Sequence, residues 1–120
     1  MSTHSTALTV VFLTMSLTLT SYRSVKYQTD DTPFHTSIGH HVHAFGCAVS
    51  PDLLSSGEIC YGDALQIPGF GIRVVNDVTH PRLIKTVDIW VATKTEEKRV
   101  GKRMKQQITI IKSETRKCRK

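Results

Sequence analysis

Short apolar runs recur along the chain, broken by Gly, Pro, Asn and Asp about every ten residues. That spacing belongs to an all-β barrel or sandwich, in which each strand is short and each turn carries its own breaker. The pattern predicts strands over Leu17–Arg23, Phe45–Ser50, Ala64–Ile67, Ile72–Asn76, Thr86–Ala92 and Gln107–Lys112. Turn signals separate them at Thr29–Pro33 (TDDTP), Ser55–Gly57 (SSG), Pro68–Gly71 (PGFG) and Thr79–Pro81 (THP). One helix is predicted at about Thr95–Arg103, with Thr95 as N-cap and Glu96 and Glu97 in the first turn. The basic residues follow them, as the helix dipole prefers. Residues 113–120 read as a basic, disordered tail. There is no internal repeat, coiled-coil heptad or membrane-spanning run.

The first nineteen residues carry two readings. Ala7–Leu19 is apolar apart from Thr and Ser and bears no charge. It is too short to span a bilayer. It has the length of a signal-peptide core, but no Lys or Arg precedes it and no small-residue cleavage site follows. Its Thr-rich, β-branched composition equally suits a strand. Residues 1–16 are therefore expected to be an apolar extension or weak signal-like segment, before a domain over 17–112.

Charge divides the chain. Residues 1–93 carry five Lys/Arg against seven Asp/Glu, and residues 94–120 carry eleven against three. The basic character is C-terminal, and it favours polyanions such as nucleic acid, anionic lipid or wall polymers. Cys47, Cys60 and Cys118 form no CxxC. A Cys47–Cys60 bridge is compatible with the sequence, and Cys118 would then be the odd thiol.

Candidate chemistry narrows quickly. GxGxxG and GxxxxGK[ST] are absent, so Pro68–Gly71 is a hairpin turn and not a phosphate loop. GxSxG is absent, and Cys47 sits in an apolar strand, where a thiol is inert. His40, His41 and His43 cluster without HExxH or a Cys partner, so a polar loop is favoured over a metal site. The carboxylates are the better candidates. Asp77 and Asp88 lie eleven residues apart in Val74–Val91 (VVNDVTHPRLIKTVDIWV), each at the edge of an apolar run. Asp52 stands at a strand-to-turn junction. Asp30, Asp31 and Asp63 read as turn residues. Aspartate is depleted in strands and costly to bury, so acids at such places either cap turns or form a site in which desolvation raises a carboxyl pKa.

Several ordered segments resemble the 3D domain, named for its three aspartates. LTLTSY (Leu17–Tyr22) resembles its opening strand and TDDTPFHTSIG (Thr29–Gly39) its polar loop. CAVSPDLL (Cys47–Leu54) resembles the segment with the first aspartate, and Val74–Val91 the segment with the second and third. VGKRMKQQITII (Val100–Ile111) resembles the closing strand. The resemblance covers residues 17–112 and is closest to the short stand-alone form of bacteriophages and their hosts. Two departures stand out: Ile38 replaces Ser in the family's Ala-Ser-Gly, and some members have Asp where this chain has Ser50.

The resemblance implies an all-β fold, a six-stranded double-psi β-barrel with one short helix, related to the catalytic barrel of membrane-bound lytic transglycosylase A. It implies cleavage between N-acetylmuramic acid and N-acetylglucosamine of peptidoglycan strands. By position Asp88 matches the catalytic acid/base, Asp77 its supporting carboxylate and Asp52 the first aspartate. Thr36 and Ser37 match the substrate-facing loop. The chemistry needs no cofactor and no metal. An exported protein would work in the cell envelope, and a phage protein would wait in the host cytoplasm for release. Two other classes compete: a wall-binding barrel that does not cut, and a nucleic-acid-binding barrel using the basic C-terminus. The scarcity of aromatic stacking platforms weighs against the latter.

Overall fold

A computed structural model describes residues 10–23 and 45–113. Six strands close into one barrel: β1 (Val10–Tyr22), β2 (Gly46–Val49), β3 (Ala64–Ile67), β4 (Gly71–Val78), β5 (Thr86–Trp90) and β6 (Arg103–Ser113). Their order around the barrel is β1-β5-β2-β4-β3-β6. β1/β5 and β2/β4 pair in parallel, and the other four ladders are antiparallel. This mixed ladder distinguishes it from an up-and-down barrel, in which every neighbour runs antiparallel.

Alternation explains the interior. Leu17 and Leu19 on β1, Val87 and Ile89 on β5, and Ile108 and Ile110 on β6 are all buried two residues apart, and they meet Leu65, Ile67, Val75 and Val49 in one core. The intervening Thr18, Thr20 and Asp88 keep partial exposure on the opposite face. β2 is buried along its whole length.

Two helices are present where one was expected. α1 (Pro51–Ser55) starts with Pro at its first position, where the missing N–H is not needed. α2 (Lys94–Val100) is capped by Thr93, not Thr95. Thr93 Oγ1 accepts from the Glu96 amide at 3.1 Å, and Glu96 Oε1 accepts from the Ala92 amide at 3.2 Å. Thr93 has Glu three positions on, whereas Thr95 has Lys98 there, and only the first spacing makes a capping box. Gly101, at φ 54°, ends the helix before Arg103.

β1 begins at Val10, seven residues before the expected start, because Val10–Leu17 pairs with Ser113–Gln106 of β6. That ladder slips between Leu17 and Leu19, where Met104 and Lys105 bulge opposite Thr18 and Lys105 takes φ 58°. The Pro68–Gly71 segment is the expected β3–β4 turn, with the Phe70 amide donating to Ile67 O at 2.9 Å. Arg99 stacks over the Phe70 ring at 4.7 Å, and Arg103 approaches it at 6.0 Å.

The Cys47–Cys60 bridge that the sequence allows is not formed. Cys47 is a free thiol in the core, whereas Cys60 is disulfide-bonded. Cys47 is registered with Val75 and Ile89 across its two ladders and is buried with them in the core.

Candidate carboxylate site

The site is built on one row across four strands. Thr20 on β1 is opposite Asp88 on β5, Asp88 is opposite Ala48 on β2, and Ala48 is opposite Asp77 on β4. Registered partners share a sheet face. Because Cys47, Val49, Val87 and Ile89 fill the core, this row lies on the opposite, outer face. The two aspartates thus flank the methyl of Ala48, two strand spacings apart, or roughly 10 Å between Cα atoms. Ala48, itself buried, is the only side chain of the row that stands between them.

Thr20 Oγ1 donates to Asp88 Oδ1 at 2.8 Å. Burial pushes the Asp88 carboxyl from its ordinary 3.8 up to about 6. The Thr20 hydrogen bond opposes that rise and the charge of Asp77 adds to it. The chain neighbours Val87 and Ile89 point into the core, on the face opposite the Asp88 side chain. Asp77 Oδ1 accepts from the Val78 amide at 2.8 Å, which fixes its carboxylate.

Alternation carries Tyr22 and Trp90, themselves registered partners, onto the same face next to the Thr20–Asp88 pair. The Tyr22 hydroxyl is held strongly protonated by burial first, then by the charges of Asp88 and Asp77. Arg73 closes this end of the barrel: its Nη1 donates to Trp90 O at 3.0 Å and approaches Gly46 O at 3.5 Å, bridging β5 and β2. Its burial lowers its pKa. In the core below, desolvation pushes the Cys47 thiol up to about 12, where it is inert.

Asp52 is placed differently. It lies in the first turn of α1, and both of its carboxylate oxygens accept from the Lys85 amide, at 3.2 and 3.0 Å. Lys85 has φ 45° and immediately precedes β5. Asp52 therefore pins the loop that sets the start of the strand bearing Asp88, and stands outside the Asp77–Asp88 row. Thr36, Ser37 and the His40–His43 cluster lie outside the described residues. Asp63, read from sequence as a turn residue, does close the Cys60–Asp63 turn, accepting from the Cys60 amide at 2.8 Å. It is also fully buried and ion-paired to Lys112 at 3.6 Å.

Sequence reasoning missed Thr20, Ala48, Tyr22 and Arg73. Alternation on Leu17 and Leu19 was the available signal for Thr20 and Tyr22. Among the described residues, no three His, Cys, Asp or Glu side chains converge to hold a metal ion, and no helix is long and apolar enough to cross a membrane. The chain matches no protein-family model and no curated protein.

Proposed function

We propose that the chain is a peptidoglycan-cleaving enzyme of the lytic transglycosylase type, with Asp88 as its acid and base. The observation that carries this reading is one carboxyl with its pKa near 6, hydrogen-bonded by Thr20 and set across Ala48 from a second carboxylate. A carboxyl that burial keeps protonated, set near a second carboxylate, divides proton donation from charge stabilisation. The closed six-stranded barrel also agrees with the fold that the resemblance to 3D domains implies.

In this reaction the protonated Asp88 gives its proton to the glycosidic oxygen as the C1–O bond breaks. The Asp77 carboxylate stabilises the positive charge that develops on the sugar ring. The Asp88 carboxylate then removes the proton of the muramic C6 hydroxyl, whose oxygen bonds to C1. One group serves twice, so no protein nucleophile is required. At pH 7 roughly a tenth of Asp88 is protonated for a pKa of about 6.

The test is release of dye-labelled fragments from purified sacculi. Wild type releases them, and Asp88→Asn, still folded, releases them at least about a hundredfold more slowly, the usual contribution of a general acid. A folded wild type that releases nothing, or an Asp88→Asn protein as fast as wild type, overturns the reading.

A further inference from the structure

We propose that Asn76 selects an N-acetylated sugar at this site, its carboxamide pairing with the 2-acetamido group. The inference rests on the glycan reading above and names what the site recognises. It starts from the bulge in β4. Gly46 and Cys47 pair with Val74 and Val75, but Ala48 pairs with Asp77, so Asn76 is the extra residue. A bulge re-aims the side chain that it carries. Here the carboxamide lies over Gly46: a Cβ built on that glycine falls 2.6 Å from Asn76 Cγ. Gly46 and Ala48 are two apart on β2, so their Cβ directions share a face. The Asn76 amide therefore stands on the Asp77–Ala48–Asp88 face, and glycine at position 46 makes the space for it.

Asn76 is half-buried, and its carboxamide makes no hydrogen bond among the described residues. A primary amide has two donors and an acceptor, and a partly desolvated one gains most from a partner offering both. A secondary amide does so. In N-acetylated amino sugars that amide is on C2, next to the C1 at which the bond breaks. Asn76 is next to Asp77 and across β2 from Asp88, so one pyranose ring spans the two functions.

The experiment uses Asp88→Asn, which holds glycan without cutting it. Its affinity is measured by NMR titration for a peptidoglycan tetrasaccharide and for the same sugar chemically de-N-acetylated. The expected result is at least a tenfold preference for the acetylated form. Adding Asn76→Ala removes that preference and leaves affinity for the de-N-acetylated sugar unchanged. Asn76→Asp, which keeps the shape over Gly46 and loses the donors, removes the acetyl preference too, and its carboxylate raises the affinity for the ammonium of the de-N-acetylated sugar. In the otherwise native enzyme, Asn76→Ala raises KM about tenfold on acetylated glycan with kcat within twofold. An acetyl preference that survives both Asn76 substitutions overturns the inference and leaves the cleavage reading standing. An acetyl preference lost with Asn76, in a protein that releases no fragments, supports the inference and overturns cleavage alone.

Discussion

Removing the Asp88 charge is expected to stabilise the fold. Burial raises this carboxyl from 3.8 to about 6. In the pH interval between those values the folded state binds more protons than the unfolded chain, so stability falls as pH rises. Below about pH 4 the group is neutral in both states and costs nothing. Above about pH 6 the cost is complete, at roughly 3 kcal/mol for a rise from 3.8 to about 6. Asp88→Asn keeps an oxygen to accept from Thr20 Oγ1 but introduces an amide N–H₂ on a half-buried face. The expected net gain is about 2 kcal/mol at pH 8, or about 8 °C in Tm for a domain of this size. Thermal unfolding of both proteins at pH 4, 6 and 8 measures it. The gap opens as pH rises and closes at pH 4. A variant less stable than wild type at pH 8, or a gap independent of pH, refutes the assignment of Asp88 as a desolvated acid.

The two neighbours of Asp88 should move its titration in opposite directions. Thr20→Val removes the hydrogen bond that favours the carboxylate and shifts the alkaline limb of the pH–rate profile upward, while Asp77→Asn removes a negative charge and shifts it downward; limbs moving together contradict the geometry. Lys112→Met leaves Asp63 buried without its cation and strips the ammonium bonds to Glu58 O at 2.7 Å and Gly57 O at 3.3 Å. The expected loss is about 3 kcal/mol in urea unfolding at pH 7, and a loss below about 1 contradicts a structural role for the pair. Lys105→Gly relieves a left-handed backbone at the β6 bulge, where a side chain is costly. It is expected to raise Tm by a few degrees, a gain of about 0.5–1 kcal/mol, and a lower Tm contradicts it.

Much of the barrel was legible because burial obeys a period of two. Ala64–Ile67 is found at its expected bounds, and Thr86–Trp90 falls inside the expected Thr86–Ala92. The early start of β1 was hidden because an uncharged run of Val, Phe, Leu and Thr reads alike as a strand or a signal core. The Thr93 cap was hidden behind the nearer Thr95. Asp77 and Asp88 stood out in sequence because acids beside apolar runs need a reason. What brings them together was not legible, because registers set across the chain place Ala48 between them and no local pattern encodes these. Asp52 looked equivalent in sequence, yet its carboxylate is spent on the Lys85 amide. The bulge at Asn76 is likewise a property of pairing, since the run Val74–Asp77 carries neither Gly nor Pro to mark it.

The most direct test of the account is the chemistry of the new chain end. Soluble fragments released from purified peptidoglycan would be identified by mass spectrometry, with Asp88→Asn in parallel. The account predicts 1,6-anhydro-muramic ends from wild type and none from the variant. Reducing ends would contradict the transglycosylase mechanism in favour of an activated water, and an absence of fragments from folded wild type would contradict the enzyme itself.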